Sequence, residues 1–341
     1  MVGNGLTLSK FVTVQQAKMG VDGVVSVVAD ANGSLTEPGL KANVKLTGAT
    51  YQGQGVGDAT AALHSEGKVL YFTANSTLVG AKVDAAGQMQ LTGDYQAQAK
   101  VTVAGLDIGK PLAMFGPGTV KAQSSINGVA TVSGPLKTPN ALSGDAEFNP
   151  VDVKLQGIEL KAAEPLRIGL RNGVATLEQV HITGQDTDMK ASGTAQLFGA
   201  TDPKGGKLDV KTTGSVSMAL LHTFDPDLIS SGKMEFTVAA GGQVKSPALR
   251  GRVQFDKVNI AMDGVPNGLS DMNGTLVFNE DRLQVEKLTA TTGGGQLKIG
   301  GSIRYHNGVY ADLTATGDVV RVRLYGLSAT ANANLKLQGG P

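Results

Sequence analysis

The chain contains no cysteine and no tryptophan among its 341 residues, and only 4% of its residues are aromatic. The absence of cysteine excludes disulfides, thiolate metal sites and cysteine nucleophiles. Net charge is also nearly absent, because 30 Lys and Arg are offset by 29 Asp and Glu. A chain with a formal charge of +1 has no long-range field to attract nucleic acid or an anionic membrane surface, so phosphate-driven binding is disfavoured.

Long apolar runs are missing as well. The most apolar stretch near the start, Val24 to Ala29, is broken by Ser26. No stretch approaches the roughly 18 residues that a membrane-spanning helix needs. The first residues also lack the charged and then apolar regions of a signal peptide. We therefore expect either a cytoplasmic protein or a piece of a longer chain.

Glycine, in contrast, is abundant, with 47 residues in the chain. This share is about twice the usual ~7% and disfavours long helices. Between the glycines, apolar and polar residues alternate, as in Val44, Lys45 and Leu46, which is the period-two pattern of strands with one apolar face. Seven Asn-Gly pairs predict tight turns between antiparallel strands. The expected fold class is all-β, a long and mostly antiparallel meander.

A short phrase recurs about every hundred residues. It consists of an apolar strand, a glycine, a proline five residues later and then Leu-x-Gly or Leu-x-Ala, and its copies begin at Gly33, Gly134 and Gly242. We predict three repeats, the last of which includes the start of a fourth copy near Leu335. The repeats cover residues 1–117, 118–230 and 231–341. Short helical segments are predicted between the repeats, at residues 8–18, 106–116 and 217–230.

Several of these phrases carry a family resemblance. They are the recurring Gly-Pro-Leu phrase, the Leu-Ser-x-x-x-Gly-x-Leu motif at Leu269–Leu276, the glycine-rich stretch Gly293–Gly301, and the ending Val320–Leu324 followed by Ala333–Leu337. With them the chain resembles the TamB family of AsmA-like bacterial lipid transport proteins over nearly its whole length. Three ordered copies of the phrase make the match more specific than any single one.

The resemblance implies a fold and a function. Proteins of this family have a sheet rolled into an open gutter, the β-taco, whose apolar inner face runs along its length. They are anchored in the inner membrane, cross the periplasm and carry phospholipids towards the outer membrane, where they pair with the barrel protein TamA. Neither the anchor nor a recognisable barrel-binding end occurs in this sequence. We therefore expect a periplasmic fragment that binds phospholipid acyl chains, with any contact to TamA made by parts outside it.

The alternating apolar residues are the candidate lining of a lipid groove. A continuous strip of such side chains would shield acyl chains from water and needs neither a catalytic group nor a cofactor. The same alternation is also compatible with the dry core of a structural or adhesive β-solenoid, and the sequence leaves both interpretations open. The predicted lining residues are Val44, Leu46, Leu70, Phe72, Val101, Val103, Val151, Val153, Leu155, Ile158, Leu160, Val180, Ile182, Val253, Phe255, Val258, Ile260, Leu276, Phe278, Leu283, Val285, Leu297, Ile299, Val320, Val322 and Leu324.

Residue patterns that would indicate an enzyme are weak. The four histidines, His64, His181, His222 and His306, are far apart, and no two have the spacing of metal ligands. His181 falls on the polar side of its strand, which predicts a solvated side chain, and the carboxylates after His222 flank Pro226, which predicts a bend. We predict no enzymatic activity, no metal, no cofactor and no nucleic-acid partner.

Overall fold

The predicted all-β fold class is confirmed. A computed structural model describes residues 2–12, 20–34, 38–109, 111–112, 122–155, 157–199, 205–223, 225–265, 267–305, 308–324 and 327–340. These residues form 21 strands, assigned to one sheet, and three short 3-10 helices. Every strand pairing whose register is resolved is antiparallel, as a meander requires.

The strands are ordered as follows along the chain: β1 (Val2–Thr7), β2 (Val21–Gly33), β3 (Pro38–Tyr51), β4 (Gln54–Glu66), β5 (Val69–Leu78), β6 (Ala81–Gln90), β7 (Gln96–Leu106), β8 (Ala122–Pro135), β9 (Ser143–Leu155), β10 (Ile158–Ala162), β11 (Leu166–Arg171), β12 (Val174–Gly184), β13 (Thr187–Gln196), β14 (Lys207–Ser217), β15 (Leu228–Gln243), β16 (Ser246–Met262), β17 (Leu269–Glu280), β18 (Arg282–Thr292), β19 (Gly295–Arg304), β20 (Tyr310–Leu324) and β21 (Leu327–Gly339). The 3-10 helices are η1 (Leu8–Lys10), η2 (Pro139–Ala141) and η3 (Met218–Thr223).

The chain divides into two compact units. Unit 1 consists of Met1–Gly118, Ala122–Val153 and Glu164–Thr176, and in it each strand from β1 to β8 pairs with the next. Unit 2 consists of Thr119–Lys121, Lys154–Ala163 and Leu177–Pro341, and in it β13 to β21 pair in the same consecutive way. The three predicted repeats remain a prediction about the sequence.

Strand β9 is followed by two short strands. The first half of β9 pairs with β11, from Gly144 opposite Leu170 to Phe148 opposite Leu166. Strand β10 also pairs with β9, and its residues Leu160–Ala162 pair with β12. Pro165 stands between β10 and β11. Because proline has no N–H to donate, a strand ladder is interrupted there.

Most Asn-Gly pairs do not form the predicted hairpin turns. Asn172-Gly173 does, because both residues have positive φ (50° and 75°) between β11 and β12. Asn127 and Asn273, however, lie inside β8 and β17. Asn307 lies outside the described residues.

Asparagine has a different use in these strands, at β-bulges where the register shifts between neighbours. At five of the bulges one residue is left-handed, with φ between 47° and 66°, and its N–H is donated to an Asn or Asp Oδ1 on the adjacent strand. The side chain replaces the carbonyl that the ladder loses, so the sheet bends without leaving a backbone donor unpaired. The acceptor and donor pairs are Asp58 and Gly48 (2.7 Å), Asn127 and Gly105 (2.8 Å), Asn273 and Lys257 (3.0 Å), Asn259 and Asp271 (3.1 Å), and Asn332 and Val319 (2.9 Å).

Each predicted short helical segment contains helical residues where it is described. The first contains η1, and the last, predicted at residues 217–230, contains the six-residue 3-10 helix η3, after which strand β15 begins at Leu228. In the middle segment the Leu112 N–H is donated to the Ile108 carbonyl at 3.0 Å, as in a helical turn. The bend at Pro226 is present, with the Asp227 N–H donated to Asp225 Oδ1 at 3.0 Å. Residues 13–18, 110 and 113–116 of the other two segments lie outside the described residues.

Turn η3 lies on the apolar side of unit 2. Its Met218 is buried against Val258, Met272 and Ala290, and Leu221 packs at the margin of this cluster. Ser230 Oγ donates a hydrogen bond to the Met218 carbonyl at 2.7 Å. This cluster is the one contiguous group of fully buried apolar side chains resolved among the described residues.

Candidate functional site: the apolar face of the sheet

In unit 2 one face of the sheet carries apolar residues in two rows, which cross nine and eight strands. Cross-strand partners point to the same side of a sheet, so the register defines these rows directly. We call the side that they form the apolar face. The first row is Met189, Gly214, Phe236, Val253, Leu276, Val285, Gly301, Leu313 and Leu337. The second row is Val216, Met234, Phe255, Gly274, Leu288, Ile299, Ala315 and Leu335.

Unit 1 has corresponding rows with smaller side chains. One runs through Val25, Leu46, Ala59, Ser76, Val83, Val103 and Gly128. The next runs through Val27, Val44, Ala61, Ala74, Ala85, Val101 and Ala130. Alanine and valine therefore dominate the apolar face here, whereas Phe, Met and Leu are frequent in unit 2.

Four phenylalanines on the apolar face each stand opposite a glycine on the neighbouring strand. The pairs are Phe72 with Gly87, Phe236 with Gly214, Phe255 with Gly274, and Phe278 with Gly251. A Cβ added at Gly87 would lie 2.6 Å from Phe72 Cζ, so the ring occupies the space that the glycine leaves. Such pairs cover a glycine backbone with an aromatic ring and hold the strand register.

The apolar face is only partly buried. In the described part of the chain, eleven apolar residues have less than a tenth of their surface exposed, and the total accessible surface is 20077 Å². A compact globular protein of 34.9 kDa has about 13,000 Å². Leu335 and Leu337, at the last strand of the two rows, are each 64% exposed. The apolar side chains therefore do not pack as densely as a closed core of this size.

The predicted lining residues on strands β3, β5, β7 and β16 to β20 fall on this face by their register. Among the described residues, no resolved register connects the predicted residues on β9, β10 and β12 to these rows, and their place on the face remains a prediction; they are Val151, Val153, Leu155, Ile158, Leu160, Val180 and Ile182. Five of the predicted lining residues are buried, namely Leu70, Val253, Val258, Val285 and Val320. The other described ones are all partly exposed and none is fully exposed. Val322 and Leu324 pair with Ala329 and Leu327, but their side chains lie outside the described part. Whether these residues contact a lipid remains a prediction.

Sequence reasoning missed part of the face. Val216, Met234, Leu288, Leu313 and Leu335 complete the second row or extend the first, but none was selected from the sequence. Strand β14 shows why. Its positions on the apolar face are Leu208, Val210, Thr212, Gly214 and Val216. Thr212 and Gly214 interrupt the apolar pattern along the strand. Only the pairing with the adjacent strands shows that they lie on the apolar face.

The opposite side of the sheet is polar and carries the ion pairs. Arg171 donates to both carboxylate oxygens of Asp145 at 2.8 and 3.0 Å, and Arg167 Nε donates to Glu147 at 2.9 Å. All four side chains are more than half exposed, so each pair adds little stability. A cleft of about 710 Å³ on this side is bordered by Glu178, Lys190, Lys211 and Arg250, among others. This cleft thus lies on the polar side, while the apolar face is an open surface.

Three titratable groups have pKa values that their local surroundings shift. Asp22 Oδ1 accepts the N–H groups of Gly23 (2.7 Å) and Ser9 (3.2 Å), and these hydrogen bonds lower the Asp22 pKa. The Asn75 amide, at 2.6 Å, and then Lys82 lower the pKa of Asp84 in the same way. Burial, with a contribution from Asp281, raises the Tyr305 pKa.

The three histidines that the structure describes are not grouped, and His306 lies outside the described residues. His181 Nε2 lies 3.0 Å from Asp188 Oδ1, and its side chain is 19% exposed, so the solvated side chain that we predicted is instead half-buried and paired. His222 Nδ1 lies 3.1 Å from the Leu228 carbonyl, and His64 stacks on Tyr71 with ring centroids 5.2 Å apart. Within the ranges that the structure describes, no three His, Asp or Glu side chains are arranged to hold a metal ion.

Comparisons with known proteins add no further assignment. Among the described residues, no helix has the length and apolar character needed to cross a bilayer. No family model, no curated protein and no solved structure matches the chain.

Proposed function

We propose that the chain is a lipid-transfer module that carries phospholipid acyl chains along its apolar face. Exposing an acyl chain of about 16 carbons to water costs about 0.8 kcal/mol per CH₂, or roughly 13 kcal/mol per chain. A protein that moves lipid between membranes must therefore offer apolar cover along the whole route. The proposal requires no catalytic group.

The observation that carries the proposal is the continuity of the apolar rows. The row from Met189 to Leu337 crosses nine strands, and with strands about 4.8 Å apart it extends on the order of 38 Å. Apart from the buried Val253 and Val285, its members remain partly exposed and can accept hydrocarbon, while the charged residues lie on the opposite side. Hydrophobic attraction is non-directional, so successive strands bind an acyl chain with similar free energy. An acyl chain could therefore move along the row without being held tightly at any one strand.

The cellular setting that we propose follows the family resemblance. The module would act in the periplasm, between an inner-membrane anchor and an outer-membrane barrel such as TamA, both contacted through other parts of the protein. The sheet would be rolled into an open β-taco around the hydrocarbon.

A second candidate function is structural, with the apolar face closed into the dry core of a β-solenoid. The cluster of Met218, Val258, Met272 and Ala290 favours it, because these side chains are fully buried against each other. Phe236, Leu276 and Ile299 favour the lipid module, because they lie in the apolar rows on interior strands and are nevertheless partly exposed. The two candidates therefore differ in whether hydrocarbon or protein covers the rows.

The test is an arginine placed on the apolar face by Ile299→Arg, with Gln296→Arg on the exposed polar side of the same strand as the matched control. The purified proteins are incubated with vesicles containing a photoreactive phospholipid, and cross-linked lipid is measured by mass spectrometry. We expect Ile299→Arg to lower the cross-linked fraction at least tenfold while circular dichroism stays unchanged, and Gln296→Arg to leave both unchanged. The Ile182→Arg variant repeats the test on β12.

Two results contradict the proposal. Wild-type protein that neither carries co-purified lipid nor cross-links to the probe does not bind lipid. If Ile299→Arg unfolds the protein, the side chain belongs to a dry core, since an unpaired buried charge costs several kcal/mol.

A further inference from the structure

We propose that Arg282 and Arg304 together bind a phosphate group, which in the lipid module is the headgroup phosphate of the bound phospholipid. The headgroup part of this assignment rests on the function proposed above. The two arginines are cross-strand partners on β18 and β19. The Cβ atoms of such partners lie about 5 Å apart. One phosphate can therefore accept N–H donors from both guanidinium groups.

The charges of this pair are not compensated by carboxylates. Both side chains are exposed, and among the described residues neither forms an ion pair. The Arg304 guanidinium lies over the Tyr310 ring, 4.9 Å from its centroid. Arg250, in contrast, is paired with Glu280. Because like charges opposite each other destabilise a strand ladder, an anion bound between Arg282 and Arg304 would relieve a repulsion that the sheet itself leaves in place.

The pair belongs to a row on the polar side that contains four basic residues and no acidic one. By register the row is Ser192, Lys211, Ala239, Arg250, Asn279, Arg282, Arg304 and Tyr310. Within it, only Arg282 and Arg304 are basic residues on adjacent strands. Since the whole chain has a formal charge of +1, we expect this site to act on contact rather than through a long-range field.

The pair also lies at the margin of the apolar face. Strand β18 begins at Arg282 and β19 ends at Arg304, and the next residues inward, Leu283 and Ile303, are cross-strand partners on the apolar face. Consecutive residues of a strand point to opposite sides of a sheet. At the end of a strand, however, a ligand can extend around the margin and contact both sides. A phospholipid whose acyl chains lie on Leu283 and Ile303 therefore has its phosphate beside the two arginines.

Tyr305 lies between these two environments. Its ring packs edge to face with Phe278 of the apolar face, with centroids 6.3 Å apart, and its hydroxyl donates to the Glu280 carbonyl at 2.7 Å. A tyrosine with an apolar body and a hydrogen-bonded tip is typical of a boundary between hydrocarbon and water. The margin thus presents apolar side chains, a tyrosine and two guanidinium groups in the order in which a phospholipid presents its tails, glycerol and phosphate.

The test compares two photoreactive lipids that differ only in the phosphate, namely phosphatidic acid and the matching diacylglycerol. Each is supplied to the purified full chain in alkyl maltoside micelles, which contain no phosphate, and the cross-linked fraction is measured by mass spectrometry. We expect wild-type protein to cross-link about fivefold more phosphatidic acid than diacylglycerol, because only the former makes charge-assisted hydrogen bonds. Arg282→Gln and Arg304→Gln should each lower this ratio to below about twofold.

Lys298→Gln is the matched control. It removes the same charge from the polar side of the same strand, but about 20 Å from Arg304, and should leave the ratio unchanged. A second measurement separates binding from a structural role. Since Arg282→Gln removes a like-charge pair, the urea midpoint of the lipid-free variant should equal or exceed that of the wild type. A lower midpoint would show that Arg282 supports the sheet, and would contradict the proposal.

The source of the phosphate is decided by calorimetric titration with inorganic phosphate. If both arginine variants lose the binding of inorganic phosphate but wild-type protein cross-links the two lipids equally, the pair binds free phosphate and the headgroup assignment is wrong. A preference for phosphatidic acid that persists in both arginine variants overturns the site. If neither lipid cross-links to the wild type, the proposed lipid-transfer function fails, and the titration alone shows whether the arginine pair binds phosphate.

Discussion

At the scale of single residues, the side chains at the bulges decide whether a bent sheet keeps its hydrogen bonds. Asn273 Oδ1 accepts the N–H of Lys257, whose backbone is left-handed with a φ of 47°. A left-handed non-glycine residue is strained, and it persists where its surroundings hold it. The acceptor on the neighbouring strand supplies that support, and the same arrangement recurs at five bulges.

The Asn273→Ala variant tests this role. Removal of the acceptor leaves the Lys257 N–H without its protein partner, and because the site is exposed, water replaces part of the loss. We expect the free energy of unfolding to fall by about 0.5–1 kcal/mol. Chemical denaturation measures the change, with Asn273→Asp, which retains the Oδ acceptor, as the control. Equal losses in both variants would contradict the proposed role.

The hydrogen bond of Asp84 makes a pH-dependent contribution to stability. The Asn75 amide and Lys82 lower the folded-state pKa of Asp84 below its ordinary value of 3.8, so the unfolded chain binds the proton more readily. This stability is therefore present above about pH 4 and is lost as the pH falls through the folded-state pKa. We expect Asp84→Asn to make the acid-induced loss of stability less steep. A carboxyl pKa above 3.8 in an NMR titration of the wild type would contradict this.

At the scale of elements, turn η3 is the part of the described chain that closes the apolar face locally. Six residues are enough, because Met218 inserts among Val258, Met272 and Ala290 while Ser230 Oγ donates a hydrogen bond to the Met218 carbonyl. The turn ends before Pro226, which cannot continue it. A small element thus produces the densest packing in unit 2.

Truncation of Met218 should be costly for this reason. We expect Met218→Ala to lower the free energy of unfolding by about 2–4 kcal/mol, since it removes a buried side chain and leaves a cavity. Met262→Ala is the matched control, because Met262 is 44% exposed, and its effect should stay below about 0.5 kcal/mol. Thermal and urea unfolding measure both. Similar losses for the two methionines would show that η3 does not pack on the sheet in solution.

Elements also show what the sequence alone could predict. Alternation identified the strands, because it depends only on neighbours along the chain; Leu297 and Ile299, separated by Lys298, are an example. The bulges were missed because they depend on the register of two strands, and Asn127 therefore looked like a turn residue. The rows that contain Thr212 or Gly214 were predicted only in part for the same reason. The Phe–Gly pairs likewise need the partner strand to be known.

At the scale of the whole molecule, the feature that matters is how much surface stays accessible. The unfolded chain would expose about 51,000 Å², so the native state buries about 30,500 Å² where a compact protein would bury about 37,500 Å². The difference is about a fifth. We attribute this smaller buried area to strands whose apolar side is only partly covered by other side chains.

This difference predicts an unusually small heat-capacity change. Unfolding should raise the heat capacity by about 10–12 cal/mol/K per residue, below the usual 12–15, because part of the apolar surface is already hydrated in the native state. Scanning calorimetry of a dilute, lipid-free sample measures it. Added phospholipid should raise the value towards the usual range. A lipid-free value of about 15 or more would mean that the apolar face is covered in solution.

The rows across the strands also determine how the molecule tolerates mutation. Each row is built from residues of separate strands, so no single residue defines the site. Exchange of one aliphatic residue for another should have little effect, while a charged residue interrupts the apolar row. Sequences that form such a surface can therefore diverge widely as long as the row positions carry no charge.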